Sequence, residues 1–231
     1  MKRTLTFLLM MLMLTGARAQ WERKLNVGAK AGFSSATYSV LALRVDGKEI
    51  TDYTTKSEVS NYFTLFLRYN MGKHYLQTEA SYDINHYSVE FPTLQWYQLA
   101  KSTDRTVINT NLTSIGVPLI YGYHTHKESF YGMSFYAGPK VNFILPSQSN
   151  NNYKNVTQDA IVEHIPPMLL SMVMGYGINI RNLFFDFNFQ IGINQVSHGF
   201  ITQHGVVMLD HNDIVFKRRR NDICFSAGFM F

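Results

Sequence analysis

Cysteine is almost missing from this chain. Cys224 is the only one, so no internal disulfide can hold the fold together. Proline is scarce as well, with six in 231 residues, which excludes a Pro-rich linker or a low-complexity disordered chain. No apolar run is long enough to cross a membrane as a helix, which takes about 20 residues. Beyond the N-terminus the longest is 168–173, and Ser171 interrupts it. Charge of one sign is not in excess either. Without Lys2, Arg3 and Arg18 the 21 basic residues become 18 against 16 acidic ones, and the formal charge falls from +5 to +2. That balance argues against a nucleic-acid partner.

Aromatic residues are abundant, with 17 Phe and 14 Tyr, a composition suited to strands. The N-terminus reads as a secretory signal peptide over residues 1–19. Lys2 and Arg3 are followed by an apolar run over 5–14 and by Ala17-Arg18-Ala19 as a cleavage site. No cysteine follows the cut, so a lipid anchor is not expected. The mature chain is expected to be one domain over residues 20–231.

The clearest pattern lies in residues 183–194. Phe185, Phe187, Phe189, Ile191 and Ile193 alternate with Asp186, Asn188, Gln190, Gly192 and Asn194. Successive side chains of a strand point to opposite faces, so one face is apolar and the other polar. The final stretch, 223–231, repeats the pattern with Ile223, Phe225, Ala227, Phe229 and Phe231 on one face. Alternating segments of about ten residues separated by turns mark a transmembrane β-barrel, with the apolar face on lipid and the polar face in the lumen. The remaining strands are expected at 25–35, 59–70, 75–90, 109–123, 130–145 and 168–181. Short connections at 71–74, 124–129 and 181–182 alternate with long ones at 39–57, 91–107, 146–167 and 197–218. With a periplasmic N-terminus every long connection lies outside the cell. The expected fold is an all-β, eight-stranded antiparallel up-and-down meander in the cell outer membrane. A ten-stranded variant stays open if 40–55 forms a hairpin of its own. Pro118 and Pro139 fall inside strands and are expected to mark bulges.

Several stretches resemble one family. They are Val27-Gly28-Ala29-Lys30-Ala31-Gly32-Phe33-Ser34, Val117-Pro118-Leu119, Ala137-Gly138-Pro139, Phe143-Ile144-Leu145, and the aromatic end Phe231. They are similar to the PorT-like outer-membrane β-barrel proteins of Bacteroidetes. The resemblance implies an outer-membrane location and insertion by the barrel assembly machinery. It also implies secretion components as candidate partners, since the founding member is tied to type IX protein secretion. The chain ends at the barrel, so a peptidoglycan-gripping domain is not expected.

Candidate site residues follow from the alternation. Lys30, Arg68, Glu79, Asp83, Lys140, Arg181 and Asp186 are expected in the lumen, which in an eight-stranded barrel is just wide enough for side chains to fill. Buried charges there must pair, so a plugging ion network is the first reading and a narrow polar path the second. Lys217, Arg218, Arg219 and Arg220 precede the last strand at the outer rim. They are either a charged loop end or a contact for lipopolysaccharide phosphates. Tyr69, Tyr121, Tyr123 and Tyr131 are expected to form a periplasmic aromatic girdle, with Trp96 and Tyr97 at the outer edge. His164, His198, His204 and His211, with Asp210 and Asp213, match no metal-ligand spacing and read as loop residues. His86 with Ser88, or His124 with Ser129, lacks an acidic orienting group for nucleophilic catalysis. The sequence therefore reads as non-enzymatic, without a cofactor, contacting outer-membrane lipid and acting through its long loops. Accessory work in secretion and lipid modification are the alternatives.

Overall fold

The computed structural model describes residues 23–45, 48–49, 51–57, 59–92, 105–127, 131–146, 150–154, 162–163, 165–196, 200–201 and 215–231. The expected signal peptide, Trp96, Tyr97, Ser129 and the four loop histidines with Asp210 and Asp213 lie outside them. Among the described residues no helix is long and apolar enough to cross a membrane. Eight long strands form the body. They are β1 (Leu25–Val45), β2 (Val59–Met71), β3 (His74–Pro92), β4 (Arg105–Lys127), β5 (Tyr131–Ile144), β6 (Met168–Ile180), β7 (Leu183–Gly192) and β8 (Val215–Met230).

Each strand pairs antiparallel with the next, and β1 pairs with β8, so the sheet closes on itself. The register sets the shape. Directly opposed residues lead from Leu25 through Tyr69, Leu76, Tyr121, Ala137, Met174, Phe189 and Ile223 back to β1 at Ser35, ten residues from the start. A ten-residue offset at ~3.3 Å per residue, shared among strands ~4.8 Å apart, tilts them by about 40°. The backbone then lies about 8 Å from the axis, a space that side chains fill.

Burial follows the alternation in every strand. On β2, Phe63, Leu65, Leu67 and Tyr69 are exposed, while Thr64, Phe66 and Arg68 are buried. Leu119 is 59% exposed, Phe135 57% and Phe187 53%. So large an apolar surface has no place in water and forms the lipid-facing band. Tyr69, Tyr121 and Tyr123 lie exposed at the turn end of this band, and Tyr131 is half-buried there. The turn end has tight connections, with Gly72 at φ 67° and Arg181 at φ 53°. Two-residue hairpin turns require this left-handed region.

The loop end departs from expectation. β1 continues through the stretch read as a polar loop and reaches Val45, where Lys48–Glu49 folds back onto it. Thr54–Ser57 pairs with β3 beyond the end of β2, and Asn150–Lys154 pairs with β4 beyond the end of β5. These additions lengthen existing strands and do not widen the ring, so the ten-stranded variant is excluded. The prolines do not mark bulges. Pro118 stays opposite Lys140 and Pro139 opposite Met172, with the register unchanged on either side. A missing N–H interrupts the ladder locally without inserting a residue. The true shifts lie between Val40 and Ala42 and between His124 and His126.

Glycine makes room for the inward aromatics. Phe66 lies directly opposite Gly28, Tyr75 opposite Gly122 and Tyr136 opposite Gly175. A Cβ at Gly28 would sit 2.3 Å from the Phe66 ring, at Gly122 2.0 Å from Tyr75, and at Gly175 2.4 Å from Tyr136. Each ring therefore lies across bare backbone, which is how a wide residue fits a narrow barrel. Gly122→Val is expected to lower stability by about 1–3 kcal/mol through overpacking. Its lipid-facing neighbour Leu119→Val should cost less. The folded fraction in a urea series, read by heat-modifiable gel mobility, checks both.

Candidate functional site

The inward residues build a filled column. At its centre Lys30 on β1 donates to Glu79 Oε1 on β3 at 2.8 Å and to Asp186 Oδ2 on β7 at 2.7 Å. All three are nearly fully buried. Tyr136 on β5 donates its hydroxyl to the other oxygen of Asp186, and Gln77 Nε2 donates to Glu79 at 2.5 Å. Two carboxylates on one ammonium leave a negative charge over. Arg68 lies on the turn side of this group, with Nε donating to Gln77 Oε1 at 2.6 Å. Its guanidinium stacks 4.2 Å from the centre of the Tyr75 ring and 5.1 Å from that of Phe184. Arginine tolerates such an aromatic setting because its charge is delocalised and weakly hydrated.

A second group sits towards the loops. Lys140 on β5 pairs with Asp83 on β3 at 3.0 Å and reaches Gln190 at 3.3 Å. Gln190 donates to Asn188, which donates to Asp186, so the two groups are joined. The space left among Lys30, Glu79, Lys140 and Gln190 is about 20 Å³, room for about one water. Further up, Arg220 pairs with Asp222 at 2.8 Å and donates to Asn85 at 2.8 Å. Above this, Ala36, Tyr38, Leu112, Ile144, Leu169 and Val196 form an apolar lid, with Val40, Tyr53 and Ile165 against it. At the turn end Phe66, Phe184 and Met230 pack together. The ionic groups thus lie between two apolar clusters, each with a buried basic residue beside it, Arg68 against Phe184 and Arg218 against Tyr38.

Six of the seven expected lumen residues meet here: Lys30, Arg68, Glu79, Asp83, Lys140 and Asp186. Arg181 does not. It occupies the exposed turn between β6 and β7, where the inward face has already ended. The basic run is also redistributed. It lies inside β8, so alternation splits it. Arg218 is fully buried, 5.1 Å from the Tyr38 ring centre, and Arg220 points into the lumen, while Lys217 and Arg219 are exposed. Asp222, Arg218 and Arg220 were missed as lumen residues. Carrying the period of two back from Ile223 would have found them.

The two candidate histidines lie at opposite ends of the barrel. His86 is at the loop-end rim, with Nδ1 2.7 Å from Asn111 Oδ1, so an amide and not a carboxylate orients it. His124 is buried in the lumen against Tyr75, ring centres 4.9 Å apart.

A family profile described as outer membrane protein beta-barrel domain matches residues 17–198. The chain belongs to this family. The outer membrane is therefore its location, and β8, beyond the matched residues, completes the ring. OprG of Pseudomonas aeruginosa has a similar fold at a TM-score of 0.56 and 10% identity, over 89% of this chain and 95% of that one. Neisserial surface protein A matches over 90% of this chain and 98% of its own, at a TM-score of 0.42 and 13% identity. No curated protein matches the sequence.

Removing one partner from the central group leaves buried charge uncompensated. Lys30→Met is expected to cost about 3–5 kcal/mol, and Lys30→Met with Glu79→Gln and Asp186→Asn to recover most of it. Urea midpoints of the two variants against the parent barrel check this.

Proposed function

We propose that this outer-membrane barrel is a non-enzymatic, PorT-like protein that works through its loop-end surface and not through its lumen. The observation that carries the reading is a contrast along the axis. The interior is filled by paired charges under an apolar lid, while the strands outrun the membrane on one side only. β4 has 23 residues, β1 21 and β3 19, against about 9–11 for a crossing. With Thr54–Ser57 and Asn150–Lys154, β3 and β4 form a four-stranded wall standing clear of the lipid band. Long ordered strands outside a bilayer serve no purpose in anchoring. They present a rigid platform on which loops carry recognition.

A second reading, accessory work in protein secretion, rests on the resemblance of the segments 27–34, 117–119, 137–139 and 143–145 to PorT-like proteins. Shortening the β3–β4 wall to a tight turn between Ser88 and Asn109 separates the two. The first reading expects intact secretion with altered binding at the cell surface. Loss of secreted cargo on that change supports the second. In planar bilayers the parent protein is expected to show no large open conductance, and a steady open channel contradicts the surface reading.

A further inference from the structure

We infer that the outward face of β8 and β1, just above the lipid band, is a docking site for a phosphorylated glycolipid of the outer leaflet. The site uses Arg219 and Lys217 as its phosphate ligands. Reading up this face, Ile223 is opposite Ser35, Asn221 opposite Thr37, Arg219 opposite Ser39 and Lys217 opposite Ala42. Ser35, Thr37 and Ser39 are all exposed. Below lie Phe33, Ile223 and Phe225, exposed by 52%, 49% and 41%. The face thus passes from an apolar wall, through hydroxyls and an amide, to two cations. That order matches a lipid whose acyl chains meet sugars and then phosphates.

The cations are about two strand residues apart, ~6.7 Å, so one headgroup reaches both. Their charge is available. The other exposed cations with placed side chains at the loop end each face a carboxylate. Lys56 pairs with Glu90 at 3.3 Å, and Arg44 lies directly opposite Glu49. Among the described residues Arg219 and Lys217 have no such neighbour, because Asp222 points inward to Arg220. The rim at β3 and β4 bears His86 and Asn111 bonded to each other, and its exposed Lys56 is held by Glu90. Two adjacent cations with no carboxylate neighbour among the described residues argue for a seated anionic lipid. Arginine also grips phosphate with two parallel hydrogen bonds, which fixes an orientation.

The test uses the mature chain folded in detergent and titrated with purified lipopolysaccharide, with bound lipid counted by native mass spectrometry. Binding is expected to weaken about tenfold or more with enzymatically dephosphorylated lipid, and similarly in Lys217→Gln/Arg219→Gln, each charge-assisted bond supplying a factor of this size. Retained heat-modifiable mobility checks that the variant is folded, and the dephosphorylated arm needs no variant. Equal binding of the two lipids by the parent protein overturns the proposal. So does a folded variant that binds as the parent does. Displacement by inorganic phosphate at concentrations comparable to the lipid also overturns it, because the site would then read free phosphate.

Discussion

Within lipid a backbone N–H or C=O has no water to bond, and this requirement governs the structure. A sheet can meet it only by closing, so β1 must find β8 across almost the whole length of the sequence. The seam runs from Gly28 opposite Met230 to Arg44 opposite Val215, and Phe231 exchanges both backbone bonds with Val27. Closure with a ten-residue offset fixes tilt and radius together. Once the radius is fixed, the volume inside is fixed too, and the inward side chains have to fill it.

The filling explains the odd mixture of residues on the inward faces. A purely apolar interior would erase the difference between the two faces of each strand and, with it, the signal that sets register. Charges keep the faces distinct, but they must be paired in a space from which water is nearly excluded. Lys30 therefore meets two carboxylates, and Gln77 bridges Glu79 and Arg68 by donating to the one and accepting from the other. Glycines opposite Phe66, Tyr75 and Tyr136 let large rings lie flat between the ionic groups. The apolar lid of Tyr38, Leu112, Ile144 and Leu169 then closes the loop end, where the strands leave the bilayer.

Much of this was legible in the sequence because period-two alternation is strict where lipid lies on one side. Even β3, with Thr78 and Ala80 in its outward set, keeps its phase. Reading failed where the alternation carried a different meaning. Ser35, Thr37 and Ser39 make the outward face of β1 polar above the lipid band, and the shift at Leu41 then reverses its phase, so its upper part looked like a loop. Lys217 to Arg220 looked like a charged loop end because four cations in a row suggest solvent, yet a strand sends two of them inside. Arg181 lay one residue past the end of β6, where periodicity says nothing. The prolines misled in the other direction. A proline in a closed ladder removes one bond and need not insert a residue. Pairing distances such as Lys30 with both Glu79 and Asp186 depend on strands far apart in sequence, which alternation alone cannot supply.

The account turns on a lumen filled by side chains, and the chain carries its own probe for this. Cys224 is buried inside the barrel, and its sulfur accepts a hydrogen bond from Gln190 Nε2 at 3.2 Å. The most direct measurement is the rate at which a water-soluble maleimide alkylates this thiol in the folded, membrane-embedded protein, against the same protein unfolded in denaturant. A filled lumen predicts protection until the barrel unfolds. Labelling of the folded barrel at the rate of the unfolded chain would mean a water-filled interior and would contradict the account.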